Sequence, residues 1–398
     1  MAKFKTIDKL DPSGKRVLLR VDFNVPLNGD EVTDDTRIRA CIPTITKLLE
    51  GNARLIIMCH LGRPKGIGFQ EEFSLAPVAK HLSKVIGRPV ELATDVAGPD
   101  SQAKAAALKD GEVLLLENIR FDAREKKNDP EFAKELAALG DVYVNDAFGA
   151  VHRAHASIAS VPALLPSYAG LLLQREVENW EKMLESPRRP FVAILGGSKV
   201  SDKVAIINSL IDRCDTLIIG GGMCFTFLLA QGHPVGTSLK ELEWIGRAAL
   251  MLDRAERAGT KILLPTDVVV ADKFAADART ETVSVDAIPE DMMGLDIGPE
   301  TARAFGEAIA DAKTVVWNGP MGVFEMEAFE KGTKTVAEAV AANEDGDTII
   351  GGGDSVSAVN KFDLADKMSF ISTGGGASLK FVEGAVLPGI EALENAPA

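Results

Sequence analysis

Five times in the second half of this chain a short apolar run stops at glycine. The runs are FVAILGGSK (191–199), TLIIGGGM (216–223), TVVWNGPMG (314–322), DTIIGGGDS (347–355) and SFISTGGGAS (369–378). Each is short and rich in β-branched residues, so each reads as a buried strand that ends at a glycine turn. In a doubly wound sheet the turns after the strands line one edge, and ligands bind along that edge. Glycine lets the backbone approach a ligand closely. A helix start behind such a turn adds a positive dipole end, which makes phosphate the natural guest. Several such turns on one sheet point to a polyphosphate.

The first half follows the same plan without the glycines. KRVLLRVDFNVP (15–26), RLIIMCHLG (54–62), VLLLENIRF (113–121) and DVYVNDAF (141–148) read as buried strands. Helical patterns lie between them, such as TRIRACIPTITKLLEG (36–51) and PEFAKELAALG (130–140), the latter punctuated by Pro130 and Gly140. Strand–helix alternation predicts a parallel sheet with helices on both faces. A chain of 398 residues exceeds what one core usually supports, so two domains are expected. Between the halves runs LLQREVENWEKMLESPRRP (172–190), with Leu173, Val177, Trp180 and Leu184 near helical spacing and Pro187 and Pro190 as stops. It reads as a helix joining two α/β domains; an ordinary crossover helix within one domain fits the pattern as well.

The net charge of −14 argues against nucleic acid or an anionic membrane as partner, so a phosphate site must be a local basic pocket on an acidic protein. No apolar stretch is long enough to span a bilayer, and MAKFKTIDKL lacks the pattern of a signal peptide. Cys41, Cys59, Cys214 and Cys224 are scattered without a CxxC pair and read as free thiols in a reducing cytoplasm.

Arginine and histidine gather where the first-half strands end. Asp22 and Asn24 follow the first strand, Arg37 opens the next helix, and His60 and Arg63 sit in HLGRP; Arg120 follows VLLLENI, and His152 and Arg153 follow VYVNDAFGA. Sheet-edge logic puts these segments on one rim. An arginine fork grips phosphate or carboxylate through two parallel bonds, so a small, multiply negative molecule is expected there. Singly, each arginine reads as a surface residue or the partner of a nearby Asp; recurrence carries the argument. His152 and His155, three apart, are expected to hydrogen-bond rather than to hold zinc, because no third ligand lies near in sequence.

In the second half, GGSKVSDK (196–203) places Lys199 and Lys203 four apart after a glycine turn. A helix starting there would put both ammonium groups on one face near its positive end. The arrangement is not a Walker A loop, yet backbone N–H groups and lysine are the same physical parts. In GGGDS (351–355) Asp354 adds a carboxylate suited to Mg²⁺, and it suits a helix cap equally. Glu325, in WNGPMGVFE, offers an acceptor for ribose hydroxyls.

Together RVDFNVP (20–26), HLGRP (60–64), GGSKVSDK (196–203), WNGPMGVFE (317–325), GGGDS (351–355) and STGGGAS (372–378) resemble the phosphoglycerate kinase family, in that family's order and over nearly the whole chain. The resemblance implies an α/β protein of two Rossmann-like, three-layer α/β/α lobes, each with a parallel six-stranded sheet. The implied division is a phosphoglycerate-binding domain over 1–171, an interdomain helix and hinge over 172–190, and a nucleotide-binding domain over 191–387. Residues 388–398 are expected to return to the first lobe. The implied activity is that of a carboxyl-accepting phosphotransferase: Mg²⁺-dependent, reversible transfer between ATP and 3-phosphoglycerate by a cytoplasmic monomer. By matching motif, Asp22, Asn24, Arg37, His60, Arg63, Arg120 and Arg153 would hold phosphoglycerate. Gly197, Ser198, Lys203, Gly221, Leu295, Pro320, Glu325, Gly351, Gly352, Gly353, Asp354 and Ser355 would hold the nucleotide, with Asp354 on the metal. Departures such as Cys59 and Lys380 miss every matched position.

The expected nucleophile, a carboxylate, is already ionised and needs no general base. Positioning and charge stabilisation then carry the reaction. Lys199, Lys203 and Arg37, with the N–H groups of Gly353 and Gly375, are the expected stabilisers. Lobe closure is expected to exclude water. A nicotinamide dehydrogenase would show GxGxxG after an early strand, where this chain has DFNVP. A non-catalytic nucleotide binder would be expected to lack Lys199, Arg37 or Asp354, and all are present.

Overall fold

The computed structural model describes residues 3–397. The chain divides into two compact units, Met1–Glu178 with Val386–Ala398, and Asn179–Ala385.

The first unit is built on six parallel strands: β1 (Arg16–Arg20), β2 (Arg54–Met58), β3 (Val90–Leu92), β4 (Val113–Leu115), β5 (Val142–Asn145) and β6 (Ser167–Ala169). They lie in the order β3-β4-β2-β1-β5-β6. The middle strands are apolar on both faces because helices cover both; Val17, Leu18 and Leu19 are all fully buried. Thr36–Glu50 forms one helix that turns Ile38, Cys41, Ile45 and Leu48 inward, and the Asp34 carboxylate accepts from the Thr36 N–H at 2.9 Å. Asp129 caps Pro130–Ala137, accepting from the N–H groups of Glu131 and Phe132 at 3.0 Å. The C-terminal helix Pro388–Glu394 packs in this unit, where the Gly389 N–H donates to the Val151 carbonyl at 2.9 Å.

The second unit repeats the sheet with β7 (Phe191–Leu195), β8 (Thr216–Ile219), β9 (Lys261–Leu263), β13 (Thr314–Asn318), β14 (Asp347–Ile350) and β15 (Phe370–Ile371). The order is β9-β8-β7-β13-β14-β15, all parallel. All five glycine-ended runs are therefore neighbours in one sheet. A separate antiparallel sheet, which the sequence reading lacks, joins β10 (Asp267–Ala271), β11 (Thr280–Ser284) and β12 (Met293–Ile297) in the order β11-β10-β12.

The helix read over 172–190 runs Leu171–Glu185, and the division between units falls within it. Leu173, Val177 and Trp180 are buried as the spacing requires; in the last turn Met183 is buried in place of Leu184.

Candidate functional site

In the first unit the loops after β1, β2, β4 and β5 meet at the carboxyl ends of adjacent strands. Side chains cross-brace them. Asn24 Oδ1 accepts from the Gly62 N–H at 2.8 Å, and Arg120 donates to the Gly62 carbonyl at 2.9 Å. Gly62 has φ +61°, and a Cβ there would meet the Phe73 ring at 2.5 Å, so both conformation and space require glycine. Arg37 pairs with Asp22 at 2.9 Å.

His60, Arg120 and Arg153 share one electrostatic environment. Burial, then the fields of Arg20, Arg120, Arg153 and Arg37, hold His60 well below its ordinary 6.5, so the ring is neutral at pH 7. Burial and the neighbouring Arg153 and Arg20 push Arg120 down to about 10. Lys126 is lowered by burial and by Arg120, Arg153 and Arg63. Cations this close depress one another, and a bound anion relieves the strain. The buried Nε of Arg120 has no hydrogen-bond partner in the protein, a donor left over for a ligand. All seven expected substrate residues, Asp22, Asn24, Arg37, His60, Arg63, Arg120 and Arg153, follow the carboxyl ends of strands of one sheet, Arg37 from the first turn of the helix Thr36–Glu50 and Arg120 from the short turn Ile119–Phe121. Sequence reasoning missed Arg20, Lys126 and Asn118, whose Nδ2 donates to the carbonyls of Leu61 and Phe73 at 2.8 and 2.9 Å. Arg20 precedes Asp22 in RVDFN, but a strand-interior arginine gives no sign of facing a site. His152 accepts from Arg153 Nε at 3.2 Å, and no group of three or more potential metal ligands occurs among the described residues.

In the second unit the chain leaves β7 toward β8 on one side and returns to β13 on the other. At that switch point the glycine turns touch. The Gly196 N–H donates to the Asn318 carbonyl at 3.0 Å, and the Gly221 N–H to the Met321 carbonyl at 3.1 Å. A Cβ on Gly196 would lie 2.6 Å from the Gly319 oxygen and closer still to that of Pro320. Two cavities open along this edge. One, about 500 Å³, is largely apolar, lined by Phe225, Val268, Phe274 and Met293 with Gly197, Ser198, Gly221, Leu295, Pro320, Glu325 and Asp354. The other, about 310 Å³, is lined by Lys199, Lys203, Gly352, Gly353, Ser355 and Gly375, and shares Gly197, Ser198 and Asp354 with the first. An apolar recess continuous with a lysine- and glycine-lined one matches a nucleoside followed by its phosphates. Leu295 reaches the first from β12, so the unread antiparallel sheet supplies one wall.

Two expectations change. No helix starts at Lys199: residues 201–203 form a turn, and the helix is Val204–Ile211 with Lys203 at its N-cap. The cause lies outside the motif, since Glu241 accepts from both the N–H (3.0 Å) and the hydroxyl (2.6 Å) of Ser201 and pins the turn. Gly351 lines neither cavity; its carbonyl accepts from Asn318 Nδ2 at 2.8 Å, bracing β13 against β14. Ser355 faces inward to take the Gly319 N–H at 2.6 Å. Lys203 donates to Asn318 Oδ1, and burial pushes its ammonium down to about 8 against the fields of Asp354 and Asp202. Asn318 and Asp296 were missed. The Asp296 carboxyl, raised to about 7 by burial, accepts from the Gly332 N–H at 2.7 Å on the wall of the larger cavity.

Comparison with known proteins agrees along the whole length. The family model for phosphoglycerate kinase matches residues 7–385. Curated phosphoglycerate kinases from Moorella thermoacetica and Synechococcus elongatus are 59% and 55% identical, covering 99% and 97% of both chains. The solved phosphoglycerate kinase of Coxiella burnetii superposes with a TM-score of 0.90 at 43% identity, and that of Pyrococcus horikoshii OT3 with 0.82 at 32%, each covering 98% of both chains. A match this long and this similar means that the chain belongs to the phosphoglycerate kinase family, the phosphotransferases of glycolysis.

Proposed function

We infer that the chain transfers a phosphoryl group reversibly between ATP and the carboxylate of 3-phosphoglycerate, giving ADP and 1,3-bisphosphoglycerate, with the residues of the two sheet edges in distinct roles. The observation that carries this reading is the partnerless buried Nε of Arg120 in a loop cluster where burial first, and neighbouring cations second, lower Arg120, Lys126 and His60. Such a cluster suits a multiply charged acid. Asp22, Asn24, Arg37, His60, Arg63, Arg120 and Arg153 hold it. The larger cavity of the second unit takes the nucleoside, with Glu325 accepting from ribose hydroxyls against Leu295 and Pro320. The smaller takes the phosphates on Lys199, Lys203 and the N–H groups of Gly353 and Gly375.

The attacking carboxylate of the substrate is ionised at neutral pH, so the protein moves no proton. Its work is alignment and neutralisation of charge on the transferring group. Lys199 and Arg37 supply that charge. Asp354, the carboxylate shared by both cavities, fits Mg²⁺, which takes one or two carboxylates beside phosphate oxygens. When bound, Mg²⁺ neutralises phosphate charge. Because each substrate has its own unit, turnover brings the two ligands together by closure about the helix Leu171–Glu185. Small-angle scattering profiles that coincide with and without both ligands would refute closure. The cysteines are buried and unpaired, which suits a cytoplasmic enzyme, and we place it there as a monomer.

The decisive experiment is a coupled assay with ATP, Mg²⁺ and 3-phosphoglycerate. Formation of ADP and 1,3-bisphosphoglycerate supports the reading. Binding of both compounds without exchange would overturn it in favour of a non-catalytic nucleotide binder.

A further inference from the structure

Beneath the cationic loops of the first unit lies a buried chain of polar groups that contacts no cavity of the nucleotide site and has no role in the reading above. Glu125, in the short helix Ala123–Lys126, and Ser157 are fully buried. The Ser157 N–H donates to Glu125 Oε2 at 2.9 Å, and its hydroxyl donates to Oε1 at 2.7 Å. The hydroxyl has one hydrogen, and it is spent there. Its oxygen then accepts from Arg20 Nε at 2.9 Å. Tyr143 fixes the Ser157 carbonyl from the other side, donating at 2.8 Å.

Arg20 is 1% exposed, and among the described residues no carboxylate pairs with it directly. A buried guanidinium without compensation is strongly unfavourable. Glu125 compensates it from one hydroxyl away; burial raises the Glu125 carboxyl and the field of Arg20 lowers it again. The far end of the guanidinium, Nη2, lies 3.4 Å from His60 Nδ1. Guanidinium only donates. Nδ1 must therefore present its lone pair, and in a neutral ring the proton then sits on Nε2. The opposite tautomer has no partner, because Asp22 Oδ1 is 3.9 Å from Nδ1, beyond hydrogen-bond reach.

We propose that Glu125 and Ser157 are positioning residues for the acid-substrate site: acting through Arg20, they lock His60 in the Nε2–H tautomer and so make a neutral imidazole a hydrogen-bond donor to the bound anion. The inference rests on the placement of 3-phosphoglycerate at His60. A neutral donor among arginines adds direction without adding charge, and a fully bonded chain behind it holds the ring still before the ligand arrives.

The test is nitrogen NMR of the full-length, ¹⁵N-histidine-labelled protein at pH 7, with His60 assigned by its loss in His60→Gln. The expected spectrum shows His60 with a protonated Nε2 and a bare Nδ1, and the Nε2 signal moves on titration with 3-phosphoglycerate. Ser157→Ala is expected to give a mixed tautomer and to raise the 3-phosphoglycerate KM about tenfold, the effect of one lost hydrogen bond to a charged group. The ATP KM and kcat should stay within about twofold, a split that general loosening of the fold would not produce. Glu125→Gln, similar in shape, carries the same expectation should Ser157→Ala not fold. A wild-type His60 protonated on Nδ1 overturns the inference alone, with or without the variants. Variants with unchanged tautomer and unchanged KM overturn it as well. A His60 signal unmoved by saturating 3-phosphoglycerate overturns both this inference and the substrate placement beneath it.

Discussion

Lys203→Met separates the stability of the second unit from its function. The Lys203 ammonium is partly buried beside Asn318, and its value falls from 10.5 to about 8. At roughly 1.4 kcal/mol for each pH unit, the charged form is about 3 kcal/mol costlier in the fold than in the open chain. Methionine keeps the unbranched stem as far as Cε and removes the charged ammonium. It also leaves Asn318 Oδ1 without its donor, a loss of about 1–2 kcal/mol. The net expectation at pH 7 is a variant about 1–2 kcal/mol more stable than the wild type and deficient in phosphate binding. The sign of the pH dependence is the sharper readout. Below pH 8 the lysine is charged in both states and the full cost is present. Between about 8 and 10.5 the unfolded chain binds more protons, so wild-type stability rises relative to the variant. Urea unfolding of both proteins at pH 7, 8.5 and 10, each with and without ADP, measures this; groups common to both cancel in the difference. A difference in stability that stays constant from pH 7 to 10 would refute the argument that burial holds Lys203 down. Stabilisation of the variant by ADP equal to that of the wild type would refute its place in the phosphate site.

Lys199→Ala should lower kcat about 10²-fold or more, the scale of losing one charge donor to the transition state, and a fully active variant removes that role. Arg63→Ala should chiefly raise the 3-phosphoglycerate KM, since Arg63 belongs to the mutually repelling cation cluster around Lys126; an unchanged KM in steady-state assays counts against it. Gly196→Ala drives a methyl against the carbonyl oxygens of Gly319 and Pro320, and is expected to cost about 1–3 kcal/mol and to weaken ADP binding measured by calorimetry. Wild-type affinity and stability together would show that the switch point tolerates separation.

What the chain declares locally is its periodicity and its punctuation. Apolar runs that stop at glycine, and arginines that recur just past strand ends, depend on neighbours within a few residues. The parallel sheets and the rim of cations were legible for that reason, and the family motifs named the ligands. The antiparallel sheet was not, because β11, TETVS, is mostly exposed and lacks an apolar signature. Where the helix after Lys199 begins was not legible for a different reason: a carboxylate from residue 241 holds Ser201 in a turn.

Charge burial belongs wholly to the tertiary structure. Read in a line, Arg20 and Glu125 carry no sign of burial, and Lys203 reads as a phosphate-binding lysine with an ordinary charge. Folding buries Arg20 and Glu125 and partly buries Lys203, and their partners Ser157, His60 and Asn318 come from elements far along the chain. The penalty for desolvating a charge depends on what surrounds it in three dimensions. For that reason the sequence alone determined where each sheet edge gathers its cations and glycine turns, while only the assembled fold decided which protons those groups keep.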